Sequence, residues 1–149
     1  MTQEDKELLL KDLCARLPYG VKVKTLLKEP YTLKGLFDTE YGGVMGCLLG
    51  KFVTNNVSPK TTNYPLEQFK PYLFPLSSMT EAQQEKFDRI YADDMQVVAN
   101  NLKNRLDGKP YERNLGHYRH IDWLNANHFD YRGLIPKGLA LDATGLNIY

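Results

Sequence analysis

The feature that most constrains the fold is a long helix-forming segment that begins after Thr80. Thr80 and Gln83 form a capping-box pattern, in which two side chains three residues apart satisfy backbone N–H groups at a helix start. Apolar residues then recur at spacings of three and four, which is typical of an amphipathic helix. They are Phe87, Ile90, Tyr91, Met95, Val98, Leu102 and Leu106. Gly108 and Pro110 end the pattern, so the longest helix of the chain is predicted here.

A second helix is predicted near the start of the chain. Thr2 and Asp5 make another capping-box pattern, and Pro18 with Gly20 ends the element. The apolar stripe consists of Leu9, Leu10, Leu13, Cys14 and Leu17. The residues predicted to face solvent are Lys6, Glu7, Lys11 and Asp12. This helix is expected to pack on a core.

Strand-like segments lie between the two helices. Strict alternation in Val21–Thr25 predicts a half-buried strand, Tyr31–Phe37 a second, and the apolar run Val44–Leu49 a central strand. We expect these three to pair antiparallel. Gly46 is interpreted as a site of close strand packing. Phe69–Phe74 also reads as extended, but Pro65, Pro71 and Pro75 are expected to confine it to a sheet edge or an irregular path.

The remaining segments are irregular or short. Thr54–Asn63 is polar and rich in turn residues, which predicts an exposed loop. Ile121–Asn125 predicts a short helix, and Asp130 is a predicted N-cap for another at Tyr131–Ile135. Leu146–Tyr149 is expected to add an edge strand or to lie over the core.

These elements together predict an α+β fold. We expect a small antiparallel sheet of three to five strands, with the N-terminal helix and the C-terminal helices packed on it. The chain of 149 residues is long enough for one core, so residues 1–149 are predicted to form a single globular domain.

Charge and composition disfavour several classes of partner. The 19 basic and 18 acidic residues are interleaved and leave a net charge of +1, so binding to nucleic acid is not expected. No segment has the roughly 20 apolar residues of a membrane span. Acids interrupt Met1–Lys11, which therefore lacks a secretory apolar stretch, and a cytoplasmic location is expected. Cys14 and Cys47 are interpreted as small buried side chains rather than as a disulfide.

A polar and aromatic region near the C-terminus holds all three histidines. Aromatic residues and arginine are frequent anchors of protein interfaces, so this region is the predicted binding surface. Its candidate residues are His117, Tyr118, Arg119, His120, Trp123, His128, Asp130, Tyr131 and Arg132.

Other chemistries for this region have weaker support. His117 and His120 lie three apart, but neither an HExxH pattern nor paired cysteines accompany them, and no metal or cofactor is predicted. An imidazole oriented by a carboxylate, His128 with Asp130 or His120 with Asp122, would suit acid–base catalysis. No nucleophile signature accompanies either pair, so an enzyme is not the favoured interpretation.

Two nucleic-acid or nucleotide interpretations also have weaker support. Arg113, Arg119 and Arg132 could contact phosphate, and three aromatic residues nearby, Tyr118, Trp123 and Tyr131, could stack on bases. Phosphate-binding loops are absent from the sequence. Residues 121–135 suggest a helix-turn-helix, but Gly133 and Pro136 interrupt the second helix, so a structural hairpin is favoured.

Four segments carry a resemblance to a known family. They are Arg16–Val21, Lys70–Thr80, His128–Ile135 and Gly138–Ala140, whereas Lys22–Pro65 and Asn101–Arg119 read as variable stretches. The chain resembles a family of small uncharacterised proteins carried by phages and mobile elements of gut anaerobic bacteria. The resemblance implies an intracellular protein made during infection or element maintenance, and it assigns no catalytic residue.

The sequence therefore predicts a non-catalytic phage or mobile-element accessory protein that acts by binding a protein partner. The alternative is a protein that binds a nucleotide or another small ligand, with weak metal-dependent hydrolytic activity. Self-association into a homo-oligomer is left open.

Overall fold

The computed structural model describes residues 1–25, 30–38, 44–49, 61–108 and 118–149. Their contacts divide the chain into two units. The first, here called the sheet unit, comprises residues 1–76 and 128–149, and the second, the helical unit, comprises residues 77–127. The prediction of a single domain stays a prediction.

Helix α1 of the sheet unit, Gln3–Arg16, begins and ends as predicted. The Asp5 N–H donates to Thr2 Oγ1 at 3.1 Å, and the Thr2 N–H donates to Asp5 Oδ2 at 3.2 Å. A short 3₁₀ turn, Leu17–Tyr19, follows, and Gly20 closes it in the left-handed region at φ 71°. Only glycine adopts that conformation without steric cost.

Two side chains of α1 differ from prediction. Asp12, expected in solvent, is fully buried, and Cys14, expected to be buried, is exposed. At 100° per residue, Asp12 lies on the side of Leu9 and Leu13, whereas Cys14 lies far from that side. The burial of Asp12 is tolerated because Arg16, one turn later, is buried beside it and pairs with it. Cys14 is a free thiol, and the Cys47 side chain lies outside the described structure.

The α+β class is confirmed. The strands are β1 (Lys22–Lys24), β2 (Tyr31–Asp38), β3 (Val44–Leu49), β4 (Thr61–Pro65), β5 (Lys70–Leu73) and β6 (Leu141–Asp142). They follow the order β4-β3-β2-β1-β5-β6, in which every pair is antiparallel except β5 with β6. The three predicted antiparallel strands, β1 to β3, are confirmed. β3 is an interior strand paired with β2 and β4, but it lies next to the edge strand and not at the centre of the order.

Two strand predictions are wrong in detail. Residues 61–63, predicted as part of a loop, begin β4, while residues 54–60 of that loop lie outside the described residues. β5 does not lie at a sheet edge, because it pairs with β1 on one side and β6 on the other. The pairing with β6 covers only Tyr72 and Leu73, so the missing N–H of Pro71 removes no hydrogen bond from that ladder.

The core of the sheet unit is apolar and closely packed. Its buried members are Leu9, Leu13, Val21, Val23, Leu33, Leu66, Phe69, Leu73, Leu134, Leu139 and Ala140. Gly46 of β3 faces the Phe69 ring so closely that a Cβ atom would overlap it, and that atom would also lie 3.1 Å from Leu33 Cδ1. The prediction of close packing at Gly46 is confirmed.

The C-terminal segment of the sheet unit is built from turns. The helix predicted for residues 131–135 is wrong, since these residues form successive turns. Asp130 still caps them, because its carboxylate accepts from the Leu134 N–H at 2.8 Å and the Ile135 N–H at 2.7 Å. Gly133 takes φ 73°, which a regular helix excludes. Of the two alternatives for residues 146–149, the edge strand is absent, and the strand in this segment is β6. The Tyr149 ring packs instead against Phe74 and His128.

The helical unit contains α2 (Glu81–Leu106) and α3 (Arg119–Ala126). Both helices are confirmed. The Gln83 N–H donates to Thr80 Oγ1 at 3.3 Å, and the Thr80 N–H donates to Gln83 Oε1 at 2.9 Å, which completes the predicted capping box. Within the described ranges, no helix combines the length and hydrophobicity needed to cross a bilayer.

Candidate functional site

The residues predicted to form one binding surface belong to two units. Tyr118, Arg119, His120 and Trp123 lie in the helical unit, and His128, Asp130, Tyr131 and Arg132 lie in the sheet unit. His117 lies outside the described residues. Each group is therefore described within its own unit.

In the helical unit, α3 is joined to α2 through Asp94. Asp94 Oδ1 accepts from Arg119 Nε at 2.8 Å, and Oδ2 accepts from the His120 N–H at 3.1 Å and lies 2.7 Å from His120 Nδ1. Burial by itself would raise the pKa of Asp94, but hydrogen bonds from His120 and Arg119 outweigh it and lower the pKa to about 2. Because an ionised carboxylate can only accept, Nδ1 of His120 carries the hydrogen.

Aromatic side chains complete the contact between the two helices. Phe87 lies 6.1 Å from Tyr91 and 5.9 Å from Trp123, measured between ring centroids, and Tyr91 meets the His120 ring edge-on at 5.2 Å. Such offset and edge-on arrangements suit the charge distribution of aromatic rings. His120 and Trp123 thus stabilise α3 on α2, whereas Tyr118, also edge-on to His120, is two-thirds exposed.

The most distinctive surface of the helical unit is an exposed apolar stripe on α2. Tyr91 and Val98 are 46% exposed, Leu102 is 57% and Leu106 is 79% exposed. These four residues, here called the α2 face, recur at spacings of seven, four and four, and they extend along roughly 22 Å of helix. The sequence pattern located this stripe, but a periodic pattern is the same whether its side chains are covered or exposed.

In the sheet unit, a buried ion pair ties α1 to the C-terminal segment. Arg16 Nε lies 2.7 Å from Asp12 Oδ2 and Arg16 Nη2 lies 3.0 Å from Asp12 Oδ1, with both side chains fully buried. Arg16 Nη2 also donates to the Phe129 carbonyl at 2.7 Å. Arg132 Nη1 lies 3.4 Å from Asp12 Oδ1, and its guanidinium covers the Tyr131 ring at 4.7 Å.

Sequence reasoning missed Asp12 and Arg16 as a pair. Their spacing of four residues on a helix was the available signal, because it places an acid and a base within reach of each other. The same spacing is common on solvated helix faces, as in Glu85 and Arg89, which are exposed. Asp94 was missed for a related reason. It is an acid within an apolar stripe, and its hydrogen-bond partners belong to α3, so the sequence of α2 alone does not reveal them.

His128 is the most unusual residue of the sheet unit. It has φ 58°, the only positive φ at a non-glycine residue in the described ranges, and it is 6% exposed. Its ring stacks on that of Tyr149 at 3.8 Å with an angle of 15° between the planes. Across the described residues, its Nδ1 is the only buried side-chain nitrogen or oxygen without a hydrogen-bond partner.

The surroundings of His128 keep it neutral. Burial, with smaller contributions from the charges of Arg16 and Lys22, lowers its pKa to about 4. The stacked Tyr149 donates its hydroxyl hydrogen to the Tyr72 carbonyl at 2.7 Å and accepts from the Lys22 N–H at 3.2 Å. Burial raises the pKa of Tyr149 to about 12, so this hydroxyl stays protonated.

The polar groups considered for acid–base or metal chemistry are engaged elsewhere. His120 is paired with Asp94, and both Asp130 oxygens accept from backbone N–H groups. In the part of the chain that the structure describes, no group of three His, Cys, Asp or Glu side chains could hold a metal ion. The turns at residues 131–135 also replace the second helix that a helix-turn-helix requires.

Comparison with known proteins gives no match. No protein-family model, no curated protein and no solved structure matches the chain. The resemblance to phage and mobile-element proteins stays a prediction.

Proposed function

We propose that this is a non-catalytic protein that binds a protein partner through the α2 face. The observation that carries the proposal is the exposure of Tyr91, Val98, Leu102 and Leu106 along one side of a single helix. Contiguous exposed apolar side chains are typical of interaction sites, because their burial against a partner is favourable. An amphipathic helix of this kind is a common element of helix-mediated recognition.

The contrast with the residues first predicted from sequence supports this choice. His120, His128 and Asp130 are buried, and the structure gives each a contact that stabilises its own unit. Buried side chains of this kind are not accessible to a partner unless the unit rearranges. Tyr118 and Arg119 are exposed and remain candidates for the rim of an interface.

The chemistry of the site also favours binding over catalysis. Asp94 accepts three hydrogen bonds, one from Arg119 and two from His120, and has a lowered pKa, which suits a structural carboxylate and not a proton acceptor near neutral pH. We include in the proposal that the partner is a component of the host cell or of the mobile element, as the sequence resemblance implies.

The test is comparative capture with matched variants. Leu102→Lys with Leu106→Lys adds two charges to the α2 face, and Gln96→Lys with Asn100→Lys adds two charges to exposed positions on the other side of the same helix. Tagged wild type and both variants are incubated with host lysate, and co-purifying proteins are identified by mass spectrometry.

We expect a partner that wild type and the Gln96/Asn100 variant retain and the Leu102/Leu106 variant loses. The direct affinity of that purified partner for the three proteins is then measured by calorimetry. Equal affinity for all three folded proteins would contradict the α2 face as the binding site. Circular dichroism of each variant shows whether α2 is still formed.

A second candidate, binding of a nucleotide or another small ligand, has one observation in its favour. The buried Nδ1 of His128 lacks a hydrogen-bond partner among the described residues, and such groups often bind a ligand or a water molecule. Thermal unfolding with a nucleotide panel tests it, since a ligand at 100 times its Kd adds about 2.7 kcal/mol to the free energy of unfolding. No shift with any nucleotide would exclude these ligands at the concentrations used.

A further inference from the structure

We infer that the sheet unit binds single-stranded nucleic acid on the side of its sheet that points away from the core. This surface is separate from the α2 face and goes beyond the proposed function. It combines four lysines with one aromatic ring on three neighbouring strands and is here called the basic face. Its residues are Lys22 and Lys24 of β1, Lys34 and Phe37 of β2, and Lys70 of β5.

The burial of Val23 places the lysines of β1 and β5 on one side of the sheet. Val23 lies in the core, and successive strand residues point to opposite faces, so Lys22 and Lys24 point away from the core. Lys22 Nζ donates to Thr32 Oγ1 of β2 at 2.6 Å, which holds its ammonium group on this side. Lys24 and Lys70 are both exposed and lie directly opposite each other in the antiparallel pair of β1 with β5.

An irregularity in β2 brings Lys34 and Phe37 to the same side. Leu33 lies in the core and Leu36 packs against it, although they are three residues apart, because the register with β3 shifts between Leu33 and Gly35. Lys34 therefore points away from the core, and so does Phe37, which follows Leu36. Lys34 is exposed, and Phe37 is 42% exposed.

The positive charge of the basic face is not balanced. Along β1, β2 and β5, the residues that point away from the core include no acid, and within the described residues none of the four lysines forms an ion pair. Like charges directly opposite each other, as in Lys24 and Lys70, destabilise a sheet. Lysines often protect sheet edges from aggregation, but β1 and β5 are each paired on both sides. A bound polyanion would relieve this repulsion.

The net charge of +1, which argued against nucleic acid, is an average over the whole chain. Folding separates charges that are interleaved along the sequence, because alternate strand residues go to opposite faces. The local potential, and not the net charge, determines whether a phosphate backbone is attracted to a surface.

The aromatic ring favours a single strand over other polyanions. From Lys70 to Phe37 the basic face runs diagonally over three strands for roughly 20–25 Å, given about 4.8 Å between strands and about 3.3 Å per residue. Proteins that bind single strands combine a positively charged track for the phosphates with exposed rings on which bases stack. A duplex offers no free base face to Phe37, and an acidic peptide or an anionic membrane has no base to stack.

The experiment measures binding of a fluorescently labelled oligothymidine of about 12 nucleotides to the full chain by anisotropy, over a series of salt concentrations. We expect a Kd on the order of tens of micromolar near physiological salt. With four phosphate contacts, the logarithm of the association constant should fall against the logarithm of the salt concentration with a slope of about −3.

Two sets of matched variants locate the site. Lys24→Gln with Lys70→Gln should weaken binding at least about tenfold and reduce the slope to about −1.5. Lys11→Gln with Lys86→Gln removes the same charge from exposed positions on α1 and α2 and should leave both quantities close to wild type. Phe37→Leu keeps an apolar side chain without a ring and should weaken binding roughly tenfold, whereas Phe37→Tyr should bind like wild type.

Each outcome decides the inference. Wild type that does not bind at about 50 mM salt, or a Lys11/Lys86 variant that loses as much affinity as the Lys24/Lys70 variant, would overturn it. Equal affinity for the same oligonucleotide in a duplex, or equal competition by polyglutamate, would show anion binding without stacking and would also overturn it. Tighter binding to phosphatidylserine vesicles would assign the basic face to a membrane instead. Circular dichroism and thermal unfolding confirm that each variant is folded.

Discussion

The two units of this protein use their apolar side chains in opposite ways. The sheet unit buries its leucines, valines and Phe69 in one cluster and even encloses the Asp12–Arg16 ion pair. The helical unit joins α3 to α2 through the buried Asp94 and a set of aromatic rings, and leaves Leu102 and Leu106 exposed. The clustered apolar side chains of the sheet unit therefore stabilise that unit itself, whereas part of those of the helical unit remain on its surface, where a partner could cover them.

The largest effect that would test this comparison is on the buried ion pair. Arg16→Met leaves the Asp12 carboxylate buried with only the longer contact to Arg132, so we expect the free energy of unfolding to fall by about 3–5 kcal/mol. Arg89→Met, which removes the exposed pair with Glu85, should change it by less than about 1 kcal/mol. Urea unfolding of both variants provides the measurement.

A companion variant separates charge burial from lost contact area. Asp12→Leu with Arg16→Met removes both charges and should recover much of the loss seen for Arg16→Met alone. If Arg16→Met and Arg89→Met lose equal stability, the ion pair is not important for the sheet unit.

The same substitution in both units tests the comparison directly. Leu9→Ala opens a cavity in the sheet unit and should lower the free energy of unfolding by about 2–5 kcal/mol. Leu102→Ala shortens a mostly exposed side chain on a helix, so we expect a change below about 1 kcal/mol. Chemical denaturation at a concentration where the chain is monomeric is the required measurement. Similar losses for the two variants would show that Leu102 is part of a core.

Acid should affect the two units in different pH ranges. His128 has a pKa of about 4 in the fold against 6.5 for an unperturbed histidine, so only the unfolded state takes up a proton between these values. Its contribution to stability is therefore present above pH 6.5 and decreases as the pH falls towards 4, by about 3 kcal/mol in total. Asp94, with a pKa of about 2 against 3.8, contributes above pH 3.8 and loses that contribution as the pH falls through 2.

Urea titrations at a series of pH values measure this difference. His128→Asn replaces the titrating imidazole with a side chain whose residue type tolerates the positive φ. This variant should lose less free energy of unfolding than wild type between pH 6.5 and pH 4. Trp123, the only tryptophan, reports the helical unit through its fluorescence. An unchanged pH dependence in His128→Asn would show that the buried imidazole is not the cause.

The smallest of the expected effects concerns close packing inside the sheet. Gly46→Ala places a methyl group against the Phe69 ring and should destabilise the chain by about 1–3 kcal/mol. Phe69→Leu in the same chain makes room for that methyl group and should make Gly46→Ala less costly. Thermal unfolding of the four combinations gives the coupling, and additive effects would show that the two positions do not interact.

Local sequence signals predicted most of the elements. The capping boxes at Thr2 and Thr80, the alternation in β1 and the apolar run of β3 each act within a few residues, so no tertiary information was needed. The helix predicted at residues 131–135 does not form, because the Asp130 carboxylate accepts from the N–H groups of Leu134 and Ile135, four and five residues on, whereas an N-cap accepts from an N–H two or three residues on. An N-cap residue indicates where orphan N–H groups are satisfied and not how the chain continues.

The candidate site was less predictable. The density of aromatic, histidine and arginine residues after Gly116 was visible in the sequence, but their assignment to two units was not. Asp12, Arg16 and Asp94 were not recognised, because the burial of a charged residue depends on which partner reaches it. The partners of Asp94 are in another part of the chain, and the hydrophobic periodicity of α2 carries no information about them.

By itself, the sequence determined the α+β class, the position of both long helices, the first three strands and the apolar stripe of α2. These depend on hydrophobic periodicity and on capping, which act over short distances along the chain. Only the tertiary structure decided which stripe is covered. Leu9 and Leu13 of α1 are enclosed by the sheet and the C-terminal segment, whereas Leu102 and Leu106 of α2 remain exposed. The reason is that burial depends on surfaces brought together from distant parts of the chain, and identical spacing on two helices does not specify which surfaces those are.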